Sequence, residues 1–417
     1  MNRPYYMNPE IAGSTSIPTT SKGNENWKYT NLKPIANTNF NPPNKLGSPD
    51  KEIETKAGQM TLADLEKHVP LMDTAILLIF IDGYFAEYLS SAPINFRNNT
   101  ISVEVEQSFK KWQSVPAEDV FSNINNGAFY DGALVQIPRI FHSIKSGDDS
   151  KDLIQIIHVS TNPKPPTETH PRTVIMTQPN NKSTILECHV SLTDKTHLNN
   201  SVTQIFLGEN SHLTYYQLIN QNPEAYQINS TYVHQEKNST FESISIAKGA
   251  SILRNELKIN LAGERSECSL KGLYFTSGSE HIDNHIMIDH AVPKAKSEIY
   301  YKGILDDKSK AVFSGGVLVR KNAQKTVAKQ TDKNLLLSKG ARINTKPMLE
   351  IYADDVECAH GATAGSIASE ALFYMQSRGI GIETARKLLI NGFANQIIDD
   401  IQLDLFKKYL HSNWLPN

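Results

Sequence analysis

A chain of 417 residues exceeds what one hydrophobic core usually supports, so two or three domains are expected. A formal net charge of −2 with 21% charged residues argues against a polyanionic partner such as nucleic acid, and three widely spaced cysteines without a CxxC exclude a disulfide framework. The longest apolar run, AILLIFI at 75–81, is far shorter than a membrane span, and the first residues hold no apolar signal core; the expected setting is the reducing cytoplasm, away from any membrane.

Residues 1–26, rich in Pro, Ser, Thr and Asn, are expected to be a mobile arm. Residues 27–149 read as a mixed α/β region. TLADLEKHVPLM predicts a helix with Thr61 at its N-cap and Pro70 at its end. AILLIFIDGYFAEYL predicts two buried strands around an Asp82-Gly83 turn, and VEQSFKKWQSV a short helix.

From 150 to 365 the texture is strand, turn, strand. DLIQIIHVS, STILECHVSL, SVTQIFLGEN, LTYYQLIN, QINSTYVHQ, TFESISIAKG, SILRNELKIN, CSLKGLYFTSG, HIDNHIMIDH, SEIYYKGIL and AVFSGGVLV follow one another, each alternating apolar with polar residues. The punctuation is GENS, EKNS, KGAS, AGERS and SGSE. A sandwich or barrel needs only seven to nine such strands; this longer series suits a β-helix, in which each coil buries its face on the next.

Residues 366–417 switch to helical periodicity and are expected to form a small helical domain. SEALFYMQSRG predicts a helix with Ser369 as N-cap and Gly379 just past its end. IETARKLLINGFANQIIDDI aligns Ala385, Leu388, Leu389, Gly392, Phe393 and Ile397 on one stripe, expected to face the core. LDLFKKYLHSNW aligns Leu403, Phe406 and Leu410.

The chain carries no GxxxxGK[ST] loop and no GxGxxG, so it should not bind nucleotide by itself. Gly315 and Gly316 in FSGGVLVR mark a tight turn or a close backbone approach rather than a phosphate cradle. His281, His285 and His290 read as structural, and Cys188 and His189, on opposite faces of one strand, do not converge. The segment VECAHG differs. On an extended strand Cys358 and His360 share a face about 6.6 Å apart, from a rise of roughly 3.3 Å per residue. Thiolate and imidazole together suit iron, zinc or transferred sulfur. A buried cysteine beside a surface histidine is the plainer reading.

KPMLEIYADDVECAHGATAG, LFYMQSRGI and ARKLLINGFANQII, with YKGIL, AQKTVAKQTDKNLLLSKGA and NWKYTNL, closely resemble the SufD side of the SufB/SufD family of the SUF iron–sulfur cluster assembly system. Gly361 after the Cys-x-His favours that side over SufB. The resemblance implies a right-handed parallel β-helix between an N-terminal α/β region and C-terminal helices. It implies a non-catalytic scaffold, with ATP hydrolysis supplied by another subunit. It implies pairing with a SufB-type subunit through the end of the β-helix, and a SufC-type ATPase docked on the C-terminal helices; alone, the chain would dimerise. His360 and Cys358 would then help to assemble a nascent iron–sulfur cluster shared with the partner, the isolated chain holding no cofactor. The alternatives are a SufB-like subunit and a carbohydrate-active β-helix enzyme, whose paired acids would have to come from Asp283, Asp289, Asp306 and Asp307.

Overall fold

A computed structural model describes residues 17–18, 25–43, 60–72, 76–91, 102–104, 119–139, 153–162 and 165–416. Most of the expected arm and the whole of the expected helix at 105–115 lie outside these residues.

After a short 3-10 turn at Glu25–Trp27 come two one-turn helices, α1 (Lys33–Ala36) and α2 (Leu62–Leu65), and a hairpin of β1 (Ile76–Ile81) and β2 (Tyr84–Phe85). Thr61 does cap α2: its backbone N–H donates to Asp64 Oδ2 at 2.9 Å in a capping box. The hairpin turns through Asp82 and Gly83, both with positive φ, as the Asp-Gly pair predicts. After β3 (Ser102–Glu104), α3 (Val120–Ala128) and β4 (Gly132–Ile137), the solenoid proper begins.

Its strands are β5 (Leu153–Ser160), β6 (Thr167–Thr169), β7 (Arg172–Thr177), β8 (Lys182–Ser191), β9 (His197–Leu207), β10 (His212–Asn220), β11 (Tyr226–Gln235), β12 (Thr240–Lys248), β13 (Ile252–Leu261), β14 (Glu267–Thr276), β15 (His281–His290), β16 (Lys296–Leu305), β17 (Lys310–Val319), β18 (Thr326–Leu336), β19 (Arg342–Ile351) and β20 (Val356–Gly365). From β8 onward the even strands stack in one sheet and the odd strands in the other, every neighbouring pair parallel. Each coil therefore adds one strand to each sheet, which makes the expected β-helix a flattened parallel solenoid.

The corners repeat. Asn180, Asn210 and Asn238, then Arg265, Lys294 and Lys325, all adopt positive φ, a conformation asparagine tolerates better than most residues. The backbone N–H of Asn210 donates to the Lys237 carbonyl at 2.9 Å and that of Asn238 to the Glu264 carbonyl at 3.0 Å, so each turn is tied to the next. Asn238 Nδ2 also donates to Asn210 Oδ1 at 2.9 Å. The serine that follows closes the turn, with Ser211 Oγ donating to the Gly208 carbonyl and Ser239 Oγ to that of Glu236, both at 2.6 Å.

Three layers of side chains surround the sheets. The interior is filled by residues such as Ile185, Leu213, Phe241, Leu270, Ile299 and Phe313. Outside the even-strand sheet, Cys188, Tyr216, Leu218 and Ile246 pack against the C-terminal helices. Outside the odd-strand sheet, Leu198, Ile228 and Ile252 pack against Trp27, Ile35 and Phe121. Because both outer faces are covered, polar residues on them are buried too: every residue of β13 is buried, although its sequence alternates as a half-exposed strand would.

The C-terminal helices are α4 (Ser369–Ser377), α5 (Ile382–Ile398) and α6 (Asp404–Asn413). Ser369 is the first helical residue rather than the cap, which is Ala368; its hydroxyl donates to Glu370 at 3.2 Å. Gly379 does take positive φ beyond the helix. The buried side of α5 carries Ala385, Ala394, Ile397 and Ile398, while Leu388 of the expected stripe is 48% exposed. The α5 residues in the cluster on the solenoid wall, Ile390, Phe393, Ala394, Ile397 and Ile398, lie toward its C-terminal end, and Leu388 is not among them.

Candidate functional site

The even-strand sheet ends at β20 and the odd-strand sheet at β19, with no described strand beyond either. The strands here lose the cover their predecessors have. β20 is exposed along nearly its whole length, and Ile351 and Tyr352 stand in solvent. An end of this kind leaves backbone donors and acceptors unpaired along two edges and apolar interior residues half covered.

Cys358 and His360 lie on β20, in register with Ala328 and Gln330 of β18. Ala328 belongs to the interior, so strand alternation turns Cys358 and His360 to that same side, as the sequence predicts. Cys358 is half-buried against the interior residues and His360 is exposed. Burial pushes the Cys358 thiol up from its ordinary value, with a backbone hydrogen bond at Ala328 opposing it weakly. The thiol therefore needs a cation or a metal beside it to ionise. One soft donor and one imidazole at an open edge form half of a coordination set, which a second molecule could complete.

Beneath them runs a buried polar row that sequence reasoning missed. Gln330 Nε2 donates to the Gly315 carbonyl at 3.2 Å. Gly315 permits this because a Cβ there would meet Gln330 Nε2 at 2.1 Å. Gly316 is crowded by the Met287 side chain in the same way, so the double glycine lies within β17 and admits neighbouring side chains, not the turn or close backbone approach expected from FSGGVLVR. Asp332, in register with Ala362 of β20, accepts from Asn334 Nδ2 at 2.7 Å, and Asn334 accepts from Tyr274. Burial raises the Asp332 carboxyl to about 7, and its Oδ1 has no partner. The available signal was Gln330, Asp332 and Asn334 at a spacing of two, a polar set on the side where Ala328 points inward.

Other candidates do not converge. His281 meets Thr30 Oγ1 at 2.8 Å and His290 meets Ser297 Oγ at 2.8 Å, while burial pushes His285 down to about 4. Asp283 is held by Arg254 at 2.6 Å and Asp289 by Arg320 at 2.6 Å. Asp306 and Asp307 belong to a corner, where Asp307 Oδ2 accepts from the Gly278 N–H at 2.9 Å. These acids are structural and provide no pair for glycoside hydrolysis. All three cysteines are free, with Cys188 and Cys268 buried.

Residues 158–393 match the family described as "SUF system FeS cluster assembly, SufBD core domain". The chain is 30% identical over 410 residues to the iron–sulfur cluster assembly SufBD family protein slr0076 of Synechocystis, covering 94% of this chain and 86% of that one. It is 28% identical over 391 residues to the iron–sulfur cluster assembly protein SufD of Escherichia coli, covering 93% and 86%. It is also 34% identical over 203 residues to the chloroplastic protein ABCI7 of Arabidopsis thaliana, covering 48% and 42%.

Proposed function

The chain belongs to the SufBD family of iron–sulfur cluster assembly proteins, and from that premise we propose that it is a non-catalytic scaffold subunit whose open solenoid end pairs with a SufB-type subunit. The observation that carries this reading is the free outer edge of β20, which pairs with β18 alone among the described strands, with Cys358 and His360 on its interior-facing side. A second solenoid abutting there would pair both free edges, cover Leu349, Val356 and Cys358, and bring its own donors to His360. Iron and sulfide are cargo at this site. His360 binds iron through a ring nitrogen, and Cys358 is a second donor to it.

The C-terminal helices supply the proposed dock for a SufC-type ATPase. Phe373 and Tyr374 on α4 are 73% and 60% exposed, and Ile382 and Leu388 on α5 are exposed beside them. An apolar patch of this composition on a helical pair suits a protein partner. ATP hydrolysis in that partner would move the helical pair and open the solenoid junction to iron and sulfide. The same reading divides the chain at 1–26, 27–149, 150–365 and 366–417, and expects a homodimer through the same end when no partner is present. No helix among the described residues is long and apolar enough to cross a membrane, and the free cysteines suit the cytoplasm.

The test is iron and acid-labile sulfide per complex after co-expression with both partner subunits. His360→Ala should assemble normally and mature little cluster; wild-type cluster content in that complex would remove the ligand role.

A further inference from the structure

The solenoid interior holds a second constellation, on the strands six and seven places from β20 along the same sheet. His158 of β5 and Glu187 and His189 of β8 all face inward, and His158 is in register with His189. The two imidazoles stack with centroids 4.8 Å apart, and Phe80 stacks on the outer side of His158 at 5.2 Å. Glu187 Oε1 lies 3.1 Å from His158 Nε2 and 3.9 Å from His189 Nε2.

We propose that His158, Glu187 and His189 form an enclosed binding site for one divalent transition-metal ion of the Fe²⁺ or Zn²⁺ type. One donor atom from each residue can be chosen so that all three lie within 4.8 Å of one another. Two ligands on such an ion, each at roughly 2.0–2.2 Å, stand about 3–3.5 Å apart. The His158–Glu187 distance already has that value, and a tilt of the His189 ring supplies the rest.

The unmet hydrogen bonds point the same way. His189 is 1% exposed and neither of its ring nitrogens has a partner; His158 Nδ1 has none either. Leaving buried polar groups unpaired costs about 1–3 kcal/mol each, and an ion beside Glu187 would give His189 Nε2, 3.9 Å from Oε1, the partner it lacks. Glu187 is fully buried, and its ion pairs among the described residues are both to histidine. Its oxygens are otherwise held by hydroxyls: Thr173 Oγ1 donates to Oε1 at 3.0 Å, Thr203 Oγ1 to Oε2 at 3.0 Å, and Tyr215 to Oε2. Hydroxyls orient a carboxylate without neutralising it, the arrangement found behind metal ligands. Two imidazoles and one carboxylate favour iron or zinc over calcium or magnesium.

Because the site is enclosed, the ion would enter as the chain folds. The test uses the full chain, unfolded and refolded anaerobically with Fe²⁺ or Zn²⁺, then desalted and analysed for metal content and X-ray absorption. About one ion per chain with two imidazole scatterers is expected, falling at least tenfold in His158→Gln and His189→Gln. A double Cys358→Ser/His360→Ala variant should keep its ion, which separates this site from the open end. Wild-type protein without a stoichiometric ion, or with sulfur in its coordination shell, overturns the proposal even if the variants do not fold. So does a His189→Gln chain that binds as wild type.

Discussion

Arg254 lies against Trp27, its guanidinium carbon 4.4 Å from the ring centroid, while its Nη1 donates to Asp283 at 2.6 Å. The same Nη1 donates to the Asn26 carbonyl at 3.1 Å, and Thr30 donates to Asp283 at 2.5 Å. One buried ion pair of the solenoid thus fastens the Trp27-Lys28-Tyr29-Thr30 segment to it. Trp27→Ala should lower unfolding free energy by about 3–5 kcal/mol. Arg254→Met should cost a similar amount, about 3–5 kcal/mol, because Asp283 is left buried without its cation. Urea titration of both single variants and the double variant checks this; strict additivity would show that the two residues act separately.

At the open end, fold and function should separate. His360→Ala removes an exposed side chain, so its stability should stay within about 0.5 kcal/mol of wild type. Cys358→Ser places a hydroxyl in a half-buried apolar position and should cost about 1 kcal/mol. Denaturant midpoints of the isolated chain measure both. A large loss in His360→Ala would mean that the residue holds the last coil together rather than serving a partner.

Asp332 makes stability depend on pH. Its folded-state value, about 7, lies above that of an unfolded aspartate, so the folded chain holds the proton longer. That contribution is fully present below about pH 4 and is lost as pH rises through about 7. Asp332→Asn should therefore stabilise the chain at pH 8, by up to about 4 kcal/mol, with the gain shrinking toward pH 5. Melting temperatures of both proteins across that range are the measurement; a constant difference would contradict a buried, titrating carboxyl.

The exposed face of α4 and α5 predicts a partner contact that costs the fold nothing. Phe373→Asp with Tyr374→Asp should leave the melting temperature unchanged and abolish capture of the ATPase subunit. Ending the chain at Gly365 is a poorer test, because α5 and α6 cover Tyr216, Leu218 and Ile246 of the solenoid wall. Retention of the ATPase by the double-aspartate variant would move the dock elsewhere.

Much of the architecture was legible because coil strands are long and their corners are marked. The eleven strand segments from DLIQIIHVS to AVFSGGVLV all appear as strands of the solenoid, and Asn210 and Asn238 in GENS and EKNS are the corner residues. Cys358 and His360 share a side because alternation is a local property of one strand. The inward row of Gln330 and Asp332 was hidden because which side of a strand is interior depends on its neighbours. The His158, Glu187 and His189 cluster needs two strands in register, and registers between parallel strands about thirty residues apart leave no local mark. Leu388 was assigned to the core because periodicity locates an apolar stripe without saying how far along the helix the cover extends.

After β20 the chain runs back along the sheet it has just completed. Lys302 Nζ on β16 donates to the Phe393 carbonyl and to Gln396 Oε1, both at 2.6 Å. Further back, Tyr216 accepts from the Gln402 N–H at 3.0 Å, and Tyr409 donates to the His68 carbonyl at 2.6 Å. The returning segment is a strap laid lengthwise over the stack, and it makes the number of coils a gauged quantity. Adding one coil moves the open end outward by about 4.8 Å, while the strap's anchors on Tyr216 and His68 stay where they are. A lineage could lengthen this solenoid only by lengthening the strap in step, so insertions should gather at the corners between strands and spare the coil count.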